Sequence, residues 1–142
     1  MTADEINQFL KQAFSGGQPP VVEAADGQTA RCRIAYHPHQ IRPGGTLSGP
    51  TMMALADTAA YALVLSAIGF QPLAVTTNLS IQFMRKPKPK DLIADVRMMK
   101  LGKSLAVMDV AIHSDGEEDL VAHSVVTYSI PPQSHGEQTG AV

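Results

Sequence analysis

The sequence predicts an α+β fold in which one antiparallel sheet curls around one long buried helix. Three observations predict it. Residues Thr51–Ile68 are almost wholly Ala, Leu, Met, Val and Tyr, and a helix that is apolar on every side is buried on every side. After Gly69 the pattern changes period, with apolar residues at every second position, the signature of half-buried strands. Before the helix, two short strand-like runs flank Asp26-Gly27, a hairpin signal.

Taken in order, residues 2–14 are predicted as an amphipathic helix. Thr2 and Glu5 have capping-box spacing, and Ile6, Phe9, Leu10, Ala13 and Phe14 share one face. The Gly/Pro run at 16–20 ends it. Strands follow at Val21–Ala25 and Thr29–Tyr36, the second with Ala30, Cys32, Ile34 and Tyr36 on one face, and residues 37–45 read as loop. Pro50 suits the first position of a central helix over about 50–68, because its φ is already helical and its missing N–H would be unpaired there. Ser48 or Gly49 caps that helix and Gly69 stops it. Leu73, Val75, Thr77, Leu79, Ile81 and Phe83 then alternate with polar residues as a long half-buried strand. The rigid basic connection Lys86–Lys90 leads into three more strands near 92–98, 105–113 and 120–130. These four late strands are expected to pair as a meander of sequential neighbours. Residues 131–142, rich in Pro, Gly and Gln, are expected to form a disordered tail.

The one carboxylate in the central run is Asp57. In an apolar place, burial favours its neutral form unless partners hold it charged. It reads equally as a structural carboxylate, capping backbone or paired in the core, and as a functional one. A chain of 142 residues suits a single domain, here residues 1–130. With 17% charged residues and a net charge of −2, nothing points to nucleic acid. The lone Cys32 forms no disulfide within the chain, Cys and His lack metal-ligand spacing, and no metal is expected. The start MTADEINQFL is not a secretory signal, so a cytoplasmic location is expected. The central run nearly has the length of a membrane span, but Thr51, Asp57, Thr58 and Ser66 interrupt it, so a core helix and no membrane partner are expected. An antiparallel sheet leaves edges that a second copy covers by side-by-side pairing, which predicts a homodimer or homotetramer.

The stretch GTLSGPTMMALAD, together with TTNLSIQFMRKPKPKD, MKLGKSLAVMDVAI and LVAHSVVTYSI, resembles the hotdog-fold acyl-CoA thioesterases of the PaaI-like, 4-hydroxybenzoyl-CoA thioesterase II type over about residues 20–130. At its helix start that family carries a pattern close to N-x-x-G-T-x-H-G-G, followed by L-A-D or L-A-E. Gly45-Thr46-Leu47, Gly49 and Leu55-Ala56-Asp57 match it. The resemblance implies a catalytic set of Asp57, Gly49, Thr76 and Ser48. Asp57 is the general base or nucleophile of thioester hydrolysis, and the Gly49 N–H at the positive helix end polarises the carbonyl. Thr76 positions water across a dimer interface, with Asn78 beside it. Three positions depart from the pattern: Arg42 stands where the family has Asn or Gln, Ser48 where it has the histidine, and Pro50 where it has the second glycine. Arg42 offers a partner for Asp57 or for a substrate carboxylate or phosphate. Arg85, Lys86, Lys88 and Lys103 are expected at the coenzyme A phosphates, Met53 and Tyr61 at the acyl group.

The implied function is hydrolysis of a short-chain or aryl acyl-CoA, with coenzyme A present only as part of substrate and product and no separate cofactor. Two other readings stand beside it. One is a non-catalytic acyl-CoA-binding hotdog protein, with Arg42 and Ser48 marking lost catalysis. The weaker one is a hotdog dehydratase or hydratase, a class that needs a histidine absent from the helix-start motif.

Overall fold

Helix α1 (Ala3–Ala13) starts at Thr2, whose hydroxyl accepts the Glu5 N–H at 3.2 Å while the Glu5 carboxylate accepts the Thr2 N–H at 2.9 Å. This reciprocal pair is the capping box read from the sequence. The structure, a computed structural model, describes residues 1–14, 18–37 and 49–132, and the backbone alone of 41–42 and 46–47. The expected tail therefore lies largely outside the described residues, as do Ser48 and the side chain of Arg42. Strands β1 (Val21–Ala25) and β2 (Thr29–Ile34) form the expected hairpin. Its turn is closed by the Asp26 carboxylate, which accepts the N–H groups of Gln28 and Thr29, and Gly27 supplies the left-handed φ of +84°. Short strands β3 (Ile41–Arg42) and β4 (Thr46–Leu47) pair inside and just after the segment read as loop.

The central helix α2 (Gly49–Ile68) begins one residue ahead of the sequence expectation and ends where Gly69 turns left-handed at φ +89°. It is apolar and long enough by composition to cross a membrane, yet it lies against the sheet and touches all six strands of it. Met52, Leu55, Ala56, Ala59, Ala60, Leu63 and Val64 are among its buried residues. Burial on every side does not hold, however. Met53 and Ala54 are exposed and Asp57, Thr58 and Tyr61 only half-buried, so one flank of the helix stays open.

The last four strands are β5 (Val75–Phe83), β6 (Leu92–Leu101), β7 (Leu105–Ser114) and β8 (Leu120–Ser129). They do not form a four-strand meander. The sheet order is β1-β2-β6-β7-β8-β5, so β5 skips to the far side of β8 and β6 pairs with β2. Between β5 and β6 runs MRKPKPKD, where Pro87 and Pro89 lack the N–H groups a tight hairpin would use. Its backbone is tied elsewhere: Met84 N–H donates to Val121 O, and Lys88 N–H to the buried Ser114 hydroxyl.

Being placed at the edge changes β5. Its burial is slight throughout, with Val75 and Phe83 more than half exposed, so it is not the half-buried strand expected. The two edges of the sheet also differ. At β1 the Asn7 side chain imitates a neighbouring strand, donating to Val22 O and accepting Val22 N–H, both at 2.8 Å. No such cover protects β5 among the described residues, and an uncovered strand edge is a template for pairing.

Candidate active site

The site grows from a break in β5. Thr76 pairs with Tyr128 of β8, but the next register pair is Asn78 with Thr127, leaving Thr77 as a bulge. The extra residue reverses which side chains face the helix. Beyond the bulge, Leu79 and Ile81 point inward with Val126 and Ser124; before it, Thr76 points inward with Tyr128. Simple alternation would have put Thr77 there instead. The Thr76 hydroxyl donates to Asp57 Oδ1 at 2.6 Å. The Tyr128 hydroxyl lies 2.9 Å from the same oxygen and 3.1 Å from the Asp57 main-chain carbonyl.

Asp57 stands on the open flank of α2, where Met53, Asp57 and Tyr61, four residues apart, share a face. Beside it lies a cavity of about 330 Å³, walled by Phe14, Tyr61, Val75, Thr76 and Tyr128 with the carboxylate among them. Tyr61 stacks on Tyr128 with ring centroids 5.8 Å apart and 22° between planes, and its hydroxyl donates to Pro72 O at 3.3 Å. Burial pushes the Tyr61 phenol upward, and burial together with the Asp57 charge pushes the Tyr128 phenol far upward, so both are neutral hydrogen-bond donors.

The remaining expected site residues distribute unevenly. Gly49 is the first residue of α2, packed so that an added Cβ would come within 3.3 Å of the Phe83 ring. It is eight residues from Asp57, a rise of about 12 Å along one helix, so one thioester cannot meet both within a chain. Thr76, expected to reach the site from a second chain, bonds Asp57 of its own chain. Asn78 belongs to the outward-facing set paired with Thr127, away from Asp57.

The basic residues do not form one cluster. Arg85, Lys86 and Lys88 follow Phe83, at the end of the sheet where β5 meets Ala122. Lys103 lies in the turn before Leu105, which faces Ser129 together with Val75, at the opposite end. Three of the first group and its neighbours have carboxylate partners: Arg85–Asp119 at 3.0 Å, Lys88–Glu117 at 3.9 Å and Lys90–Glu117 at 3.3 Å. Lys86 and Lys103 make no ion pair among the described residues.

Cys32 is core: fully buried, its thiol is pushed up to about 12 by burial, which leaves it unreactive. His113 and His123 lie half-buried on the outer sheet face, 3.3 Å from Asp95 and 3.6 Å from Asp109. Sequence reasoning did not single out Tyr128. The signal available was its inward position in the alternation of β8, where a polar tip needs a buried partner.

A six-stranded antiparallel sheet wrapped around one long helix is the hotdog fold. A sequence profile described as the thioesterase superfamily matches residues 44–121, and the chain belongs to that family. The solved structure of a candidate thioesterase from Silicibacter sp. TM1040 is 44% identical, covers 92% of each chain and superposes with a TM-score of 0.82. Zebra fish thioesterase superfamily member 2 shares the fold at 22% identity, with 92% of this chain and 99% of that one covered and a TM-score of 0.81. A candidate esterase of Saccharolobus solfataricus is 25% identical over 141 residues, covering 96% of this chain and 91% of its own.

Proposed function

We propose that the protein is an acyl-CoA thioesterase of the PaaI-like type, working as a dimer whose active sites are shared between chains. The observation that carries this reading is the Asp57 carboxylate, fixed by Thr76 and Tyr128 at the wall of a cavity that mixes aromatic and polar side chains. Hydrolysis needs a carboxylate at the thioester carbon and a donor at its oxygen. In the base route Asp57 takes a proton from water as the water oxygen bonds the carbonyl carbon, and the oxyanion accepts the Gly49 N–H. Collapse then expels the coenzyme A thiolate, which leaves unprotonated at neutral pH. In the nucleophile route Asp57 itself bonds the carbon and water later cleaves the acyl-aspartyl anhydride.

The rise of about 12 Å between Gly49 and Asp57 requires the Gly49 N–H to come from a second copy. A two-fold axis that pairs the open β5 edges joins them antiparallel. It brings the Thr76 end of one strand beside the Phe83 end of the other, and so Asp57 toward the second copy's helix start. The same operation unites the separated basic residues, Lys103 of one chain with Arg85, Lys86 and Lys88 of the other, as a seat for coenzyme A phosphates. Phe14, Tyr61 and Met53 wall the acyl group, which favours short apolar or aryl acyl chains.

The test is thiol release from a panel of acyl-CoA esters, short aliphatic to aryl, by the wild-type protein and Asp57→Asn. Turnover lost in the variant supports the enzyme. Coenzyme A esters that raise the melting temperature without turnover would make it a binding protein instead. After a single turnover in heavy-oxygen water, label in the Asp57 carboxylate establishes the nucleophile route, with water attacking Cγ of the anhydride, because the base route never bonds water to that carbon.

A further inference from the structure

We infer that Tyr128 is a positioning residue for hydrolysis: it locks one oxygen of Asp57 and so dedicates the other to the reaction. The inference rests on the hydrolase reading above. An aspartate on an open helix flank has two free torsions and two equivalent oxygens. Here a single phenol lies within hydrogen-bonding distance of both the main-chain carbonyl, at 3.1 Å, and Oδ1, at 2.9 Å. Its single proton is shared between the backbone and side-chain oxygens of the same residue, which keeps the two oxygens side by side. Thr76 donates to the same Oδ1 at 2.6 Å. Both donors therefore converge on one oxygen, and Oδ2 takes no hydrogen bond from the described residues.

The carboxylate is thus asymmetric, with Oδ1 as the anchor and Oδ2 as the oxygen that meets water or the thioester carbon. Tyr128 is itself rigid. It is 4% exposed, held by the stack with Tyr61 and by its place in β8 next to β7 and β5. A buried phenol needs only one acceptor, and the Asp57 carbonyl alone would satisfy it. The second contact, to the carboxylate, is what a purely structural tyrosine would not require. The device needs three elements in register, because Thr76 faces inward only through the bulge at Thr77.

The experiment compares wild type, Tyr128→Phe, Asp57→Asn and the double variant, which keep the ring and the side-chain volume. The expected result is a fall in kcat of about tenfold or more in Tyr128→Phe, the size of one hydrogen bond to a charged group, with KM within about twofold. On the residual turnover that Asp57→Asn retains, read at high enzyme concentration, the same change should cost nothing further. Unchanged kcat in Tyr128→Phe, or an equal fractional loss on both backgrounds, overturns the inference while leaving the hydrolase reading intact. If wild type turns over no thioester, the hydrolase reading fails. The Tyr128 hydroxyl proton then decides by NMR: a slowly exchanging signal that moves in Asp57→Asn supports the locked carboxylate, and a signal that is absent or does not move overturns it.

Discussion

Two inactive variants should restore each other. Gly49 and Asp57 lie eight residues apart on α2, about 12 Å by helix rise, whereas an oxyanion donor and a base or nucleophile act within hydrogen-bond reach of one carbonyl. Gly49→Pro removes the N–H at a helix position where proline's φ is already suitable. An added Cβ there meets the Phe83 ring, whose side chain is half exposed and free to yield by the few tenths of an ångström required. Loss of one oxyanion donor costs about 10²–10³ in kcat, and Asp57→Asn removes the carboxylate. Random exchange of the two variants makes half the dimers mixed, and each mixed dimer holds one site with both wild-type groups, so about a quarter of wild-type activity returns for a two-fold dimer. Thiol release after co-refolding, with mixed dimers verified by native mass spectrometry, is the assay. Mixed dimers no more active than the two parents would refute the shared site and with it the two-fold pairing of β5.

Further expectations concern stability and substrate. Leu63→Ala, at a fully buried position of α2, should destabilise the fold by about 2–5 kcal/mol, read as a lower midpoint in urea. The Tyr36 N–H and the Arg33 guanidinium hold the Asp91 carboxyl below its usual value. A depressed carboxyl stabilises the fold above the unfolded-state value, about pH 4, and loses that contribution as pH falls through the folded-state value. Wild type should therefore exceed Asp91→Asn in stability at pH 6, with the gap narrowing steadily below pH 4; a constant gap in denaturant melts would count against the network. Lys86→Ala and Lys103→Ala should each raise KM for an acyl-CoA by roughly two- to fivefold, the scale of one exposed charge pair. KM for the same acyl group on a truncated thiol without phosphates should stay unchanged, and equal effects on both substrates would remove these lysines from the phosphate seat.

Much of the architecture was written locally. The capping box at Thr2 and Glu5, the Asp26-Gly27 turn, the apolar run ending at Gly69 and the alternation of the later strands each depend on residues a few positions apart. The pairing of β5 was not, because alternation states which residues share a face and is silent about which strand lies beside them. Thr76 was placed near Asp57 by resemblance alone. Its inward direction comes from the bulge at Thr77, and nothing in the run VTTNLSIQF marks where the register slips. Tyr128 went unnoticed because it is seventy-one residues from Asp57, and only the stacking of β8 next to β5 under α2 joins them.

The sequence by itself determined the elements and the chemistry available: a buried apolar helix, strands to wrap it, and one carboxylate exempt from the apolar pattern. These follow from helical and strand periods, which act over a few residues. Tertiary structure alone decided that β5 is the far edge of the sheet, that the basic residues divide between its two ends, and that Thr76 and Tyr128 converge on one oxygen of Asp57 while no other described residue bonds the second. Those outcomes arise from contacts between strands and helix far apart in the chain, whose register is fixed by packing the whole core at once and not by any local preference.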